Sequence, residues 1–169
     1  TSAREAIALF PEYVESDSPY VLLAGAYAHT GEEARELETL LRYWERGGFA
    51  PQALRLLARK LYDLERTDEA IAVLDSINYV APFNVELHTT LGDWMLETDR
   101  FEDALAEYQV VLALNPHDMA AAHYRVARAN HLLDRGEETR HHLLSALEIA
   151  PHYRPAQVLL LETTGTSQQ

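Results

Sequence analysis

One set of residue types returns every 34 or 35 residues along this chain, and that period constrains what it can fold into. The clearest instance spans 85–118. Leu91, Gly92 and Met95 share one face of a predicted helix over 85–97. Ala104, Tyr108 and Val111 share one face of a second helix over 101–114, and Pro116 closes the segment. A step back of 34 residues finds Leu57, Ala58, Leu61, Ala70, Leu74 and Pro82 at the same places. A step forward of 35 finds Val126, Ala127, Leu143, Ala146 and Pro151, with Asn130 for the large apolar residue and Thr139 for the alanine. The earliest match is Tyr20, Leu23, Ala24 and Tyr27. Its second helix departs, with Glu36 at the small-residue position and Gly47-Gly48 in place of the proline.

The pattern has a physical reason. Positions 4, 7, 8 and 11 of each unit fall within one arc of a helix at about 100° per residue. A small residue at position 8 and another at position 20 let the two helices of a unit approach closely. One helix pair cannot bury its apolar face, so it stacks on neighbours, and about three units are needed for stability. The expectation is an all-α chain of nine or ten helices. Its divisions are 1–16 (a half repeat, the second helix of an upstream unit), 17–50 (a divergent repeat), 51–84, 85–118, 119–153, and 154–169 (a terminal capping helix with a polar tail).

Local signals refine this. Ser18-Pro19 reads as a helix start and Asp118 as a cap, and Thr30-Gly31-Glu32-Glu33 has the form of a capping box. Gly47-Gly48 reads as the softest joint, Gly136 as a helix breaker, and Glu162 onward as a frayed tail.

Charge and composition narrow the function. Of 169 residues, 27 are acidic and 14 basic, a net charge of −13, which argues against binding nucleic-acid phosphates. Apolar runs such as 158–161 are far short of the roughly 20 residues that span a bilayer, so no membrane insertion is expected. With no cysteine there is no disulfide or thiolate zinc site. Motifs of nucleophilic, phosphate-binding, dinucleotide and zinc-protease chemistry are absent. No two of the eight histidines stand three or four apart, so they read as solvated or capping, and the carboxylates as solvent-facing. The expectation is no enzyme, no cofactor and no metal.

The residues at positions 7, 8, 11, 20, 24 and 32 of 85–118, and their recurrence over 17–153, make the chain resemble the tetratricopeptide repeat family. The resemblance implies a right-handed superhelical solenoid and a scaffold whose concave groove, lined by the first helices, binds a peptide or protein. Positions 2, 5, 9 and 12 would line it. They read Ser18, Val21, Gly25 and Ala28; then Gln52, Arg55, Arg59 and Tyr62; then Glu86, Thr89, Asp93 and Leu96; then Ala121, Tyr124, Arg128 and His131. The candidate partner-binding residues are Arg55, Arg59, Tyr62, Thr89, Asp93, Tyr124, Arg125, Arg128 and His131.

Two readings of the basic residues stand side by side. In one, Arg59, Asp93 and Arg128, all at position 9, form an ion-pair ladder between repeats. In the other, the arginines receive an acidic or C-terminal carboxylate segment, since guanidinium forks suit carboxylates. The family's chaperone-tail clamp uses lysine and asparagine where this chain has Arg55, Arg59, Thr90, Ala121 and Arg125, so a chaperone partner is not expected.

The chain opens in what reads as mid-repeat, which suggests a fragment of a longer bacterial protein whose targeting signal lies outside it. Two alternatives to a scaffold are an accessory C-terminal repeat domain of a larger enzyme, such as a peptidase-like protein, and a self-assembly module. The apolar face of Ile7, Leu9 and Phe10 suggests weak homo-oligomerisation through the N-terminal helices.

Overall fold

The computed structural model describes residues 2–165, which divide after Pro82 into two compact units. The N-terminal unit contains α1 (Ser2–Leu9), α2 (Pro19–Thr30), α3 (Glu33–Glu45), α4 (Pro51–Asp63) and α5 (Thr67–Asp75), with a 3-10 turn over Ser76–Tyr79. The C-terminal unit contains α6 (Val85–Glu97), α7 (Phe101–Ala113), α8 (Met119–Leu132), α9 (Gly136–Ile149) and α10 (Arg154–Gly165). Among the described residues every regular element is helical.

Within the N-terminal unit α2 packs on α3 and α4 on α5, with α1 against α2 and α3 against α4. Within the C-terminal unit α6 packs on α7 and α8 on α9; α7 also lies against α8, and α10 against α9. Helix starts follow the sequence where a short polar side chain precedes the helix. Asn84 Oδ1 accepts from the Leu87 amide at 2.9 Å, Asp118 Oδ1 from Ala121 at 2.9 Å, and Ser18 Oγ from Tyr20 at 3.2 Å.

The period is written most plainly in the backbone between paired helices. Gly31, Glu65, Asp99 and Asp134 all adopt the left-handed conformation, with φ of 73°, 60°, 58° and 56°. In each case the next amide reaches back five residues: Glu32 to Tyr27 O at 3.0 Å, and Arg66 to Leu61 O, Arg100 to Met95 O and Arg135 to Asn130 O at 2.9 Å. This satisfies a carbonyl left open at the end of the first helix. Only Gly31 takes that φ without a Cβ penalty, and the two aspartates are among the residues that tolerate it.

The turn corrects two expectations. Thr30 to Glu33 does not form a capping box. Thr30 is the last residue of α2; its hydroxyl bonds Glu32 Oε1 at 2.8 Å and back to carbonyls of its own helix, and no side chain caps α3. Nor does Gly136 break a helix: it is the first residue of α9, and the break falls at Asp134. At the Gly47-Gly48 joint the amides donate to Trp44 O at 2.8 Å and Tyr43 O at 3.0 Å, with Gly48 buried under the Tyr43 ring. The polar stretch from Glu162 is helical as far as Gly165, and the rest of that expected tail lies outside the described residues.

The α6–α7 pair packs a small residue against a large one. A Cβ added at Gly92 would sit 2.5 Å from Tyr108 Cε1, so glycine is what lets the buried tyrosine ring lie on α6. The two polar departures in α8 and α9 are buried and satisfied. Asn130 Nδ2 donates to Val126 O at 3.0 Å, and Thr139 Oγ1 to Arg135 O at 2.7 Å. Glu36, the large acid at a small-residue position, is buried in the N-terminal unit. Its carboxylate meets Lys60 Nζ at 2.9 Å, linking α3 to α4.

Candidate functional site

Of the nine candidate residues, six lie in the C-terminal unit, and four of these share one pocket. Asp93 on α6 and Tyr124, Arg125 and Arg128 on α8 line a pocket of about 330 Å³ together with Glu97 and Tyr153. His131 lies one turn further along α8, exposed, beside a second pocket of about 460 Å³ that it shares with Tyr124, Arg128 and the first turns of α10. Thr89 is half-buried on α6, outside both linings.

The pocket's charges are unequally committed. Asp93 Oδ1 accepts a 2.7 Å hydrogen bond from the buried Tyr108 hydroxyl, and Arg125 Nε approaches the same oxygen at 3.7 Å. Burial, then the bond to Asp93 and its charge, push the Tyr108 phenol far above its ordinary pKa, so it remains a donor. The Tyr124 and Tyr153 rings meet edge-to-face with centroids 5.7 Å apart, and burial raises the Tyr153 phenol, with Asp118 adding to it. Arg128 is exposed and makes no ion pair or hydrogen bond among the described residues. An unpaired guanidinium beside two aromatic rings is suited to a planar carboxylate.

In the N-terminal unit Arg55, Arg59 and Tyr62 all lie on α4. Arg59 Nε pairs with Asp63 Oδ1 at 3.1 Å, one turn on, at the exposed surface. Arg55 and Tyr62 are half-buried.

The expected ladder of Arg59, Asp93 and Arg128 is therefore corrected. Arg59 turns to a carboxylate of its own helix, and the arginine beside Asp93 is Arg125, from position 6 of its unit. Three residues placed on the groove stripe, Ser18, Leu96 and Ala121, are buried. A stripe drawn opposite one packing face ignores the second neighbour that a stacked helix acquires. Glu97 and Tyr153 were missed: Glu97 stands one residue beyond the stripe, and Tyr153 sits in the loop before α10, where helical periodicity gives no signal.

Three of the eight histidines depart from the solvated or capping expectation, while His29, His117, His131, His141 and His152 are exposed. His88 is buried on α6, with Nδ1 2.6 Å from Glu107 Oε2 on α7. His123 on α8 and His142 on α9 face one another with Nδ1 atoms 3.0 Å apart.

No family model matches the chain, and no curated protein does. Solved structures do match. The first TPR of Spaghetti (RPAP3) bound to the HSP90 peptide SRMEEVD aligns at TM-score 0.61 and 22% identity, covering 70% of this chain and 94% of that one. YrrB, a TPR protein with an unusual peptide-binding site, aligns at TM-score 0.66 and 16% identity, covering 93% and 79%. MamA from Desulfovibrio magneticus RS-1 aligns at TM-score 0.68 and 19% identity, covering 88% and 83%. The fold is that of the tetratricopeptide repeat. The pocket is lined by residues of α6 and α8 together with Tyr153. Among the described residues no helix is long and apolar enough to cross a membrane.

Proposed function

We propose that this tetratricopeptide chain is a protein-interaction scaffold. The face of α6 and α8 receives an extended acidic peptide segment, with Arg128 as the anchoring charge. The observation that carries the proposal is the asymmetry of the pocket: Asp93 is engaged by Tyr108 and Arg125, whereas Arg128 is exposed without a partner among the described residues. Tyr124 and Tyr153 supply rigid apolar surface beside it. The similarly folded Spaghetti domain was solved with an acidic peptide, SRMEEVD, which supports a peptide ligand of that character. By repeat position, Arg55, Arg59 and Tyr62 on α4 are proposed as the corresponding face of the N-terminal unit. The sequence divisions at 17–50, 51–84, 85–118 and 119–153 are proposed as the successive repeats. Exposed Leu9, Phe10 and Leu22 support a second, weaker contact, self-association through residues 3–27.

The test is fluorescence polarisation with labelled acidic peptides bearing a free C-terminal carboxylate, against neutral and amidated versions. Arg128→Glu should weaken binding by at least about thirtyfold, the equivalent of losing a desolvated charge pair at an interface. The melting temperature should barely move, because exposed charges change stability by only about ±0.5 kcal/mol. Unchanged binding by Arg128→Glu, or equal affinity for the neutral peptide, overturns the proposal.

A further inference from the structure

The N-terminal unit holds a charged pocket of its own, built from residues that have no part in the proposed peptide site. Its volume is about 320 Å³, and α1, α2 and α3, which pack in sequence, supply its walls. Arg4 of α1 and Arg35 and Arg42 of α3 line it, with Glu38 as the acid of the lining. Three guanidiniums against one carboxylate make a basic spot in a chain of net charge −13.

Two of the three are gathered on one ring. Arg4 donates from Nε at 3.1 Å and from Nη2 at 2.7 Å to the hydroxyl of Tyr27, a buried side chain of α2. The Arg4 and Arg35 guanidinium carbons lie 5.5 and 5.9 Å from the Tyr27 ring centroid. Arg42 stands two helical turns beyond Arg35 and shares its face of α3. The three charges are met differently. Arg35 pairs with Glu32, and Arg42 with Glu38 at 2.6 Å, each one turn away at the exposed surface, where such pairs are weak. Arg4 makes no ion pair among the described residues, and the group it bonds is a neutral phenol. Glu32 lies outside the lining; the Thr30 hydrogen bond, and then the charges of Arg35 and Arg4, hold its carboxyl below the ordinary pKa. The Arg4 charge is therefore oriented by a fixed hydroxyl without being neutralised.

We propose that this pocket binds a small organic phosphomonoester, its phosphate among Arg4, Arg35 and Arg42 and its apolar body against Ile7 and Leu23. A planar carboxylate is matched by one guanidinium fork, whereas a phosphate offers three terminal oxygens, one for each arginine. Near neutral pH it carries close to two negative charges, so it draws Arg35 and Arg42 from their exposed glutamates more strongly than a monoanion does. Ile7 and Leu23 are partly exposed, and an apolar body that covers them removes that surface from water. The volume is close to the roughly 300 Å³ at which small-molecule pockets begin, which suits a compact ligand. Tyr27 is a positioning residue that acts through Arg4.

The experiment titrates the full chain with phenyl phosphate by calorimetry at neutral pH and low salt, against benzoate, inorganic phosphate and phenol. One phenyl phosphate per chain should bind, about tenfold or more tighter than benzoate and tighter than inorganic phosphate. Phenol should not bind, and added salt should weaken the complex. Arg4→Gln and Arg42→Gln should each weaken binding by about tenfold or more, the scale of a lost charge-assisted hydrogen bond. Tyr27→Phe keeps the buried ring and should weaken binding severalfold in the parent, yet change nothing further in the Arg4→Gln background. Arg66→Gln, at an exposed arginine of the same unit that also pairs with an acid one turn away, should leave binding unchanged, as should Arg128→Glu in the peptide site. The guanidinium Nε–H spectrum of the unmutated chain needs no variant to fold: the resonances of Arg4, Arg35 and Arg42 should be the ones that respond. Non-saturable binding, equal affinity for benzoate, parental binding by Arg4→Gln, or loss of binding in Arg66→Gln overturns the proposal. So does a phosphotyrosine peptide that binds more tightly than phenyl phosphate, which would make the occupant a protein side chain.

Discussion

The Tyr108 hydroxyl donates to Asp93 Oδ1 at 2.7 Å, so one side chain from the core of the α6–α7 pair holds the acid of the adjoining pocket in place. Tyr108→Phe should lower stability by about 1 kcal/mol, the net worth of an ordinary hydrogen bond. Asp93→Ala strands a buried hydroxyl and should cost about 1–3 kcal/mol. Urea unfolding of the two variants checks the order. Equal losses would mean that water replaces Asp93.

Gly92 lies under the same ring. Gly92→Ala gains roughly 1 kcal/mol in helix propensity, but the new methyl would meet a buried ring 2.5 Å away that Asp93 anchors from its far end. Overpacking of this kind costs about 1–3 kcal/mol, so the variant should melt below the parent. Gly25→Ala, at a mid-helix site of α2 with open space around the added Cβ, should melt above it.

Glu36 and Lys60 make an asymmetric pair, with side chains 3% and 25% exposed. Lys60→Met leaves the carboxylate buried and unpaired, which should cost about 3 kcal/mol. Glu36→Ala restores the small residue of the other repeats and frees a lysine that can reach water, so it should cost clearly less. The double variant should recover most of the Lys60→Met loss. Additive losses in chemical denaturation would show that the pair is not coupled.

Acid should loosen the α8–α9 pair. His123 and His142 have folded pKa values below the ordinary histidine value, so the unfolded chain binds more protons as pH falls. Their contribution is fully present above about pH 6.5 and is lost as pH drops through the ordinary histidine pKa toward the depressed folded values. A double His123→Gln, His142→Gln variant should show a flatter dependence of melting temperature on pH between about 7 and 5. An unchanged slope would assign the acid sensitivity to other groups.

Self-association should be weak and should depend on Phe10. Leu9 and Phe10 at the end of α1 are 73% and 68% exposed. Sedimentation at high concentration should show reversible dimerisation that Phe10→Ala reduces. A strictly monomeric parent would end that proposal.

The sequence by itself determined the helix pairs and their period. The small–large pairing of Gly92 with Tyr108 follows from volume, and the starts at Ser18 and Asp118 follow from amides that need an acceptor; both are local facts carried by residue type and spacing. It also named Tyr124, Arg125 and Arg128, which the fold brings to the lining of one pocket. What only the tertiary structure decided were relations between residues far apart in the chain. Asp93 was given to Tyr108 and Arg125 rather than to a ladder, Glu36 was matched to Lys60, and His123 was set against His142. Periodicity fixes which face of a helix is apolar. The partner of a polar side chain depends on which of several groups within reach satisfies it with least strain, and that is settled only when the helices have packed.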